Sequence, residues 1–436
     1  MNSSRREQTG WYFYDWANSA FSSTVVTLFL GPYLTVLATA AADAHGRVYP
    51  LGIPVDARSW WGYLISLSVL SQVVCLPILG AMADYSARKK TLLGLFAYAG
   101  AIPTVALYFV RGDAYLAGGI LFLLANLAFG ASAVVYNSYL PQIAAPEERD
   151  AVSSKGWGLG YLGGGILLAL NLVLYVNAGT LGLNEALAVR ISLASAGLWW
   201  AGFTIIPLAT LRRREPLLRL PSGRGYLGAG FGQLLRTLRD LRRYPQTLTF
   251  LVAYLLYNDA IQAVIALAAQ FGADELKVPI SILNATILMV QFVAFLGALA
   301  FNRVARATGA KNAVMLALAG WTVAVVAIYG WVRTVWQFVA VAAVVALVMG
   351  GSQALSRSLY SLMVPKGREA EYFSLYEISD KGTSWLCPLI FGLTLQFTGN
   401  YRLAILTLVF FFLAGMSVLA LVNVARAARE AGNQAP

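Results

Sequence analysis

The sequence predicts an all-α membrane protein of about twelve transmembrane helices in two six-helix halves. Three observations carry that prediction: a low content of charge, long apolar runs that recur, and a second half that repeats the first. Of 436 residues, 58% are hydrophobic and only 12% charged, and the mean hydropathy is +0.65. A soluble domain carries about 25% charge, so lipid is the solvent for most of this chain. Apolar runs of roughly 20 residues, enough to cross a bilayer, are centred near Thr27, Leu70, Ala101, Leu124, Gly165, Leu198, Leu256, Met289, Val323, Val345, Ser384 and Phe410.

The net charge of +12 invites a nucleic-acid partner, and its distribution argues against one. With the N-terminus in the cytosol, the cytosolic segments hold Arg5, Arg6, Arg88, Lys89, Lys90, Arg149, Arg303, Arg306, Lys366, Arg368 and nine arginines of the central loop. The outer loops hold far fewer, among them Arg47, Arg111 and Arg333. That asymmetry is the positive-inside bias, so the basicity is topology and both termini are expected in the cytosol. Cys75 and Cys387 sit in predicted spans as small buried hydrophobes rather than as a disulfide framework. The single histidine, His45, falls in the first outer loop, where solvation is its expected state. The first apolar run is expected to be retained as a span rather than removed as a signal peptide.

The longest polar stretch, residues 212–246, is rich in Arg, Pro and Gly and has six predicted spans on either side. It divides the chain into an N-terminal half (1–211), a cytosolic basic linker (212–246) and a C-terminal half (247–436). Its "FGQLLRTLRDLRRY" portion can form a basic amphipathic helix on an anionic leaflet, or serve as a tether. The halves repeat. "APEERDA" (Ala145 to Ala151) follows span 4 and "VPKGREA" (Val364 to Ala370) follows span 10. Pro146 matches Pro365 and Arg149 matches Arg368 at an offset of 219; Gly80 and Gly297 correspond at a similar one. Two parallel-repeat halves are a transporter architecture, with the solute site expected near the bilayer midplane.

"GAMADYSARKK" (Gly80 to Lys90) joins spans 2 and 3. The glycine permits a tight turn and close packing, Asp84 can face a helix N-terminus, and Arg88, Lys89 and Lys90 suit lipid headgroups. This spacing resembles the loop motif of the major facilitator superfamily. The resemblance implies the major facilitator fold, with Asp84 meeting the start of the eleventh span, near Tyr372, as a latch. An ordinary positive-inside loop is the alternative. The matching place in the second half, "GALAFNRVARATGAK", has Phe301 instead of the acid, so one latch is expected. In "GWGLGYLGGG", Gly156, Gly160 and Gly164 make a bare stripe for close helix approach. The run resembles the glycine motif in span 5 of proton-coupled exporters of that superfamily, with Tyr161 in place of its proline.

Polar residues enter the spans in patterns. At about 100° per residue, Asp15, Asn18, Ser19 and Ser22 share one face of span 1, while Ala17, Phe21 and Leu28 face lipid or packed helices. Span 7 repeats the design in "YNDAIQAVIALAAQ", where Asp259, Gln262, Ala266 and Gln270 share a face. An ionised carboxylate at mid-bilayer costs several kcal/mol unless paired or hydrated. Asp259 is therefore the first candidate proton carrier, with Asp15 and Asp380 after it; Asp15 has the alternative of a helix-end acid at headgroup level. In span 11, Glu377 and Lys381 are spaced to pair, and Asp380 is expected to meet span 2 or a cavity cation. Span 10 adds Gln353 and Arg357, the latter able to pair with a loop acid or with Glu377.

Together "YDWANSAF", "YNDAIQ" and "GGSQALSRSLYSLMVPKGREAEYFSLYEISDKGTSWL" resemble the vacuole-effluxer branch of the superfamily, the family of the autophagy-related vacuolar amino-acid permease and its bacterial members. The likeness covers essentially the whole chain. It implies twelve spans and efflux of small solutes, with amino acids proposed for the fungal members. With the polar stripes, the expected function is a permease for proton-linked efflux of amino acids or similar small polar solutes; an excess of arginine over lysine points to a bacterial inner membrane, and a chain holding both halves is expected to be functional as a monomer. Asp15, Asn18, Ser22, Asp259, Gln262 and Gln353 are the expected cavity residues. Gly80, Asp84, Arg88, Lys89, Arg149, Arg368, Glu377 and Lys381 are the expected gate or latch. The expected partners are a small solute, protons and the bilayer. No enzyme activity, cofactor, metal or nucleic acid is expected: His-Glu-x-x-His and Gly-x-x-x-x-Gly-Lys-Ser/Thr sequences are both absent. A carrier of lipids or amphiphiles on the same fold, and a transporter-derived sensor, are the alternatives.

Overall fold

The computed structural model describes residues 3–216, 239–381 and 386–433. Among them, eleven helices are long and apolar enough to cross a membrane. They are α1 (Ser4–Ala40), α2 (Ala57–Asp84), α3 (Lys89–Phe109), α4 (Tyr115–Ile143), α5 (Pro146–Val176), α6 (Glu185–Thr210), α7 (Pro245–Ala273), α8 (Ile280–Thr308), α9 (Ala310–Gly330), α10 (Val335–Ser361) and, after two shorter helices, α13 (Tyr401–Ala420). The shorter two are α11 (Glu369–Lys381) and α12 (Leu386–Thr398), and α14 (Val424–Glu430) follows α13. Of the expected span centres, Ser384 lies outside the described residues, between α11 and α12. So does the "FGQLLRTL" part of the basic linker helix.

The chain forms two compact units. The first comprises Met1–Leu76, Arg88–Tyr136 and Leu159–Arg214; the second comprises Pro77–Ala87, Asn137–Gly158 and Glu215–Pro436. In the first unit α1 and α3 both pack on α6. The apolar stripe of α1 turns to protein: Ala17 and Phe21 are fully buried, and the Phe21 ring sits 5.4 Å from Phe129 and 5.6 Å from Trp200. Bare backbone on α5 meets α1. A Cβ on Gly160 would come 2.8 Å from Ser19 Oγ, and one on Gly164 would come 2.9 Å from Ser23 Oγ. Gly163 faces Trp16 in the same way, and Gly156 is buried. The loop after α1 carries a short hairpin, β1 (Arg47–Val48) with β2 (Val55–Asp56). Asp43 anchors it by accepting from the Tyr49 hydroxyl at 2.6 Å and from the amides of His45 and Arg47. The Tyr49 bond, with the two amides, holds the Asp43 carboxyl below its ordinary range. His45 itself is exposed.

In the second unit α8 and α10 cross through glycines. Gly350 abuts the carbonyl of Ala294, and Gly297 abuts the carbonyl of Leu347, each too close for any side chain. Phe301 packs on Gly351, which accounts for a large apolar residue where the first half has Asp84. Because the neighbour at Gly350 is backbone, it cannot rotate away. Gly350→Val is expected to cost about 3 kcal/mol or more of stability. Gly392, in α12, has open space around it; Gly392→Ala is expected to be neutral or to gain up to about 1 kcal/mol from helix propensity. Thermal unfolding in detergent compares the two, and equal midpoints would show that the α8–α10 crossing is not tightly packed.

Candidate functional site

The turn between α10 and α11 is built by Pro365 and by Gly367, whose φ of +83° suits glycine. A helix leaves the first N–H groups of its first turn and the last carbonyls of its last turn without internal partners. Both ends of this turn find charged partners from other segments of the second unit. Asp84 is 4% exposed and accepts from the amides of Ala370 at 3.0 Å and Glu371 at 2.8 Å, in the first turn of α11. Arg149, 5% exposed, donates to the Ser361 carbonyl at the end of α10 at 2.8 Å, and to Ala144 at 3.3 Å. An anion thus sits on a helix N-terminus and a cation on a helix C-terminus, both favourable to the helix dipoles. Gly80 allows the approach, since a Cβ there would lie 2.6 Å from the Ala370 carbonyl oxygen. Arg368, the repeat counterpart of Arg149, instead meets the carboxylates of Glu371 at 3.2 Å and Asp240 at 3.4 Å. Arg88 is exposed and Lys89 buried at the start of α3, in the first unit.

One turn inward lies a buried network. Arg357 is 2% exposed; it donates to Ser153 Oγ at 2.9 Å, the Ser153 carbonyl at 3.0 Å and Asn137 Oδ1 at 3.3 Å, and covers the Trp157 ring. Asn137 in turn donates to Glu377 Oε1 at 2.8 Å. Ser358 donates to Asp150 at 2.6 Å. The amide of Asn137 therefore bridges Arg357 and Glu377. The expected Glu377–Lys381 pair cannot be followed, because the Lys381 side chain lies outside the described residues.

Asp380, expected to meet span 2 or a cavity cation, makes its described contacts with α7, accepting from Tyr254 Oη at 2.8 Å and Asn258 Nδ2 at 3.0 Å, and the Tyr254 and Tyr376 rings stack at 4.3 Å beside it. Asp259, 1% exposed, accepts from the Cys387 amide at the start of α12 at 3.0 Å. Its other oxygen has no hydrogen-bond partner among the described residues. Further along α7, Gln262 is half-buried and Gln270 reaches Tyr401. Gln353 is 9% exposed in α10.

In the first unit Asp15, 8% exposed, accepts from Tyr136 Oη at 2.7 Å. Trp11 stacks on the same tyrosine at 4.4 Å and donates to its carbonyl. Asn18 is 6% exposed, and Ser22 is exposed. Sequence reasoning missed Tyr136, Asn137, Ser153 and Asn258. The first two stand in "VVYNSYLP", where a tyrosine and an amide interrupt an apolar run as they do in "LLYNDAIQ". That parallel was the available signal.

This geometry can be set beside known proteins. The family model described as "Vacuole effluxer Atg22 like" matches residues 3–432. An uncharacterised MFS-type transporter of Bacillus subtilis, YxiO, is 29% identical, over 96% of this chain and 95% of its own. Autophagy-related protein 22-1 of Penicillium rubens is 27% identical, over 98% of this chain and 91% of its own. Among solved structures, the human organic anion transporter MFSD10 superposes with a TM-score of 0.69 at 16% identity, over 96% of this chain and all of that one. With the family model running nearly end to end and the fold shared with solved transporters, the chain belongs to the vacuole effluxer Atg22-like family, multi-pass membrane transporters of the major facilitator type.

Proposed function

We propose that the protein is a secondary active permease that exports amino acids or similar small polar solutes, linked to protons, by alternating access. The observation that supports the proton link is Asp259. An ionised carboxylate with one bare oxygen in an apolar surrounding is costly. Uptake of a proton removes that cost, and water or solute reaching the site restores the charge. Efflux is supported by the family's description, and amino acids by the resemblance to the vacuolar permeases. Asp84 on α11 and Arg149 on α10 act as a latch at the cytosolic end. On this reading both termini are cytosolic, the halves 1–211 and 247–436 move about the linker 212–246, and one chain suffices. The membrane is the bacterial inner (plasma) membrane, a reading supported by the likeness to an MFS-type transporter of Bacillus subtilis. The chain carries out no enzymatic reaction and needs no cofactor or nucleic acid.

Liposomes holding the pure protein and a labelled amino-acid mixture test this, with loss of each compound followed with and without a pH gradient. Selective, gradient-dependent loss is expected. Loss of labelled phospholipid in place of amino acids would favour the lipid-carrier reading. Asp259→Asn preserves shape and the bond to Cys387 but cannot ionise. It is expected to abolish gradient-driven flux and to spare solute exchange; unchanged driven flux would remove Asp259 from the coupling.

A further inference from the structure

The carbonyls that α10 leaves without helical partners at its end are taken up, one after another, by side chains from elsewhere in the second unit. Ser361 accepts from Arg149. Met363 accepts from the Thr247 hydroxyl, at the start of α7, at 3.2 Å. Leu362 and Val364 share one carboxamide: Asn433 donates to the first at 2.9 Å and to the second at 2.8 Å. Asn433 thereby spends both of its side-chain N–H donors on this turn. Ser361, Leu362, Met363 and Val364 are all buried, so each bond lost there leaves a carbonyl unsatisfied. Asn433 itself belongs to the segment that follows the last span.

That segment is shaped to bring Asn433 there. Lys311, at the start of α9, donates to the carbonyls of Ala420 at 2.7 Å and Val422 at 2.8 Å, where α13 ends. Asn423 then caps α14, accepting from the Arg426 amide at 2.9 Å. The helix packs on α7 and buries Ala427, Ala428 and, just past its end, Ala431. Gln246, in the first turn of α7, fastens both ends of α14. Its side-chain oxygen accepts from the Asn423 amide at 2.6 Å, and its own amide donates to Glu430 Oε2 at 3.3 Å. Arg426 holds the other oxygen of Glu430 at 2.8 Å. The helix closes in a Schellman turn: Gly432 donates to the Arg429 carbonyl at 3.0 Å, and the Asn433 amide donates to Ala428 at 2.8 Å. Gly432 has φ of +71°, and this left-handed residue reverses the chain just before Asn433.

We propose that residues 423–433 are a strap, a second fastening of the α10–α11 turn that keeps the Asp84–Arg149 latch shut. The strap rests on the latch reading and deepens it. The latch grips the turn at Ser361 and at the first turn of α11. The strap grips between those points, at Leu362 and Val364. Through Lys311 and Gln246 the same segment is tied to the end of α13 and the starts of α9 and α7. A shift of α13 along its axis therefore pulls on the turn that the latch must hold. Cover for apolar surface would take the buried alanines alone; the strap adds a carboxamide spent wholly on the turn.

Amide hydrogen exchange of the whole chain in detergent tests the strap without knowledge of the solute. Asn433→Ala removes both bonds to the turn. It is expected to speed exchange about tenfold at Leu362, Met363 and Arg368, whose amides bond within the turn, and at Ala370 and Glu371, which bond Asp84. Two ordinary hydrogen bonds together are worth about that factor. The core of α13 should keep the parent's rate. Asn433→Asp keeps the size and loses the donors, so it should loosen the turn at least as much; a packing role would make it the milder change. Gly432→Ala keeps the carboxamide and disturbs only its aim, since a Cβ there meets nothing within 4 Å, and it carries the test if Asn433→Ala lowers the thermal midpoint. Parent rates at Leu362 and Met363 would show that nothing is fastened there and overturn the proposal. A rise confined to Leu362, Met363 and Arg368 would overturn the hold on the latch. Asp84→Asn separates the two readings. If it speeds Ala370 and Glu371 while Asn433→Ala does not, the latch stands and the strap falls; if neither change touches them, both fall.

Discussion

Asp84→Asn is expected to leave the protein folded and to open the latch. Among the described contacts, the carboxylate accepts two backbone N–H groups in the first turn of α11. The amide retains one acceptor and turns an N–H toward the other donor. Hydrogen bonds to a charged group contribute about 1.5–3 kcal/mol each, and the favourable meeting of anion and helix N-terminus goes with the charge. A loss of about 2–3 kcal/mol shifts the latch equilibrium by roughly 30- to 150-fold. Amide hydrogen exchange reads this directly: Ala370 and Glu371 should exchange faster by that factor while the core of α10 stays protected. Flux should fall as well, because a transporter that cannot hold one state cannot alternate. Exchange at Ala370 and Glu371 equal to that of the parent protein would remove Asp84 from the latch. The paired substitution, Arg149→Met, is expected to act on the other side of the same turn by freeing the Ser361 carbonyl.

The fold was largely legible in the sequence, because a bilayer admits few solutions and long apolar runs declare them. The glycine correspondence of Gly80 and Gly297 was legible for a similar reason: a helix crossing that meets backbone tolerates no side chain, and both glycines abut a carbonyl. The site was legible in its residue types and less so in its partners. Asp380 was expected to meet span 2 or a cavity cation, and its described partners are Tyr254 and Asn258 of α7. Helical periodicity gives the direction of a side chain on its own helix and says nothing of which helix stands there. Arg149 and Arg368 make the same point. They occupy equivalent places in the repeat, yet one finds carbonyls and the other carboxylates. A π-helical stretch within α1, Phe21–Phe29, was invisible because its residues, "FSSTVVTLF", carry no signal that separates an i+5 ladder from an i+4 one. A helical wheel drawn at 100° per residue therefore misplaces Thr27.

The largest loss of stability is expected at Arg357. Its guanidinium uses all three nitrogens, on Ser153 and Asn137, inside a region where it is 2% exposed. Arg357→Ala leaves those partners buried and removes the cation near the Glu377 carboxylate. Breaking a buried charged network by deleting one member costs about 3–5 kcal/mol. Arg357→Lys keeps the charge but cannot reproduce a planar fork, so it should recover only part of the loss. The bridging role of Asn137 can be separated from simple packing by a double-mutant cycle of Arg357→Met with Glu377→Gln, read by denaturant unfolding in detergent. Two groups joined through one amide, whose oxygen accepts from one and whose nitrogen donates to the other, polarise each other through it. A coupling of about 1–2 kcal/mol is therefore expected, falling toward zero when the cycle is repeated in Asn137→Ala. Costs that add within about 0.5 kcal/mol already in the parent protein would mean that Asn137 relays nothing. Arg357 and Glu377 would then be two separately satisfied charges rather than parts of one gate.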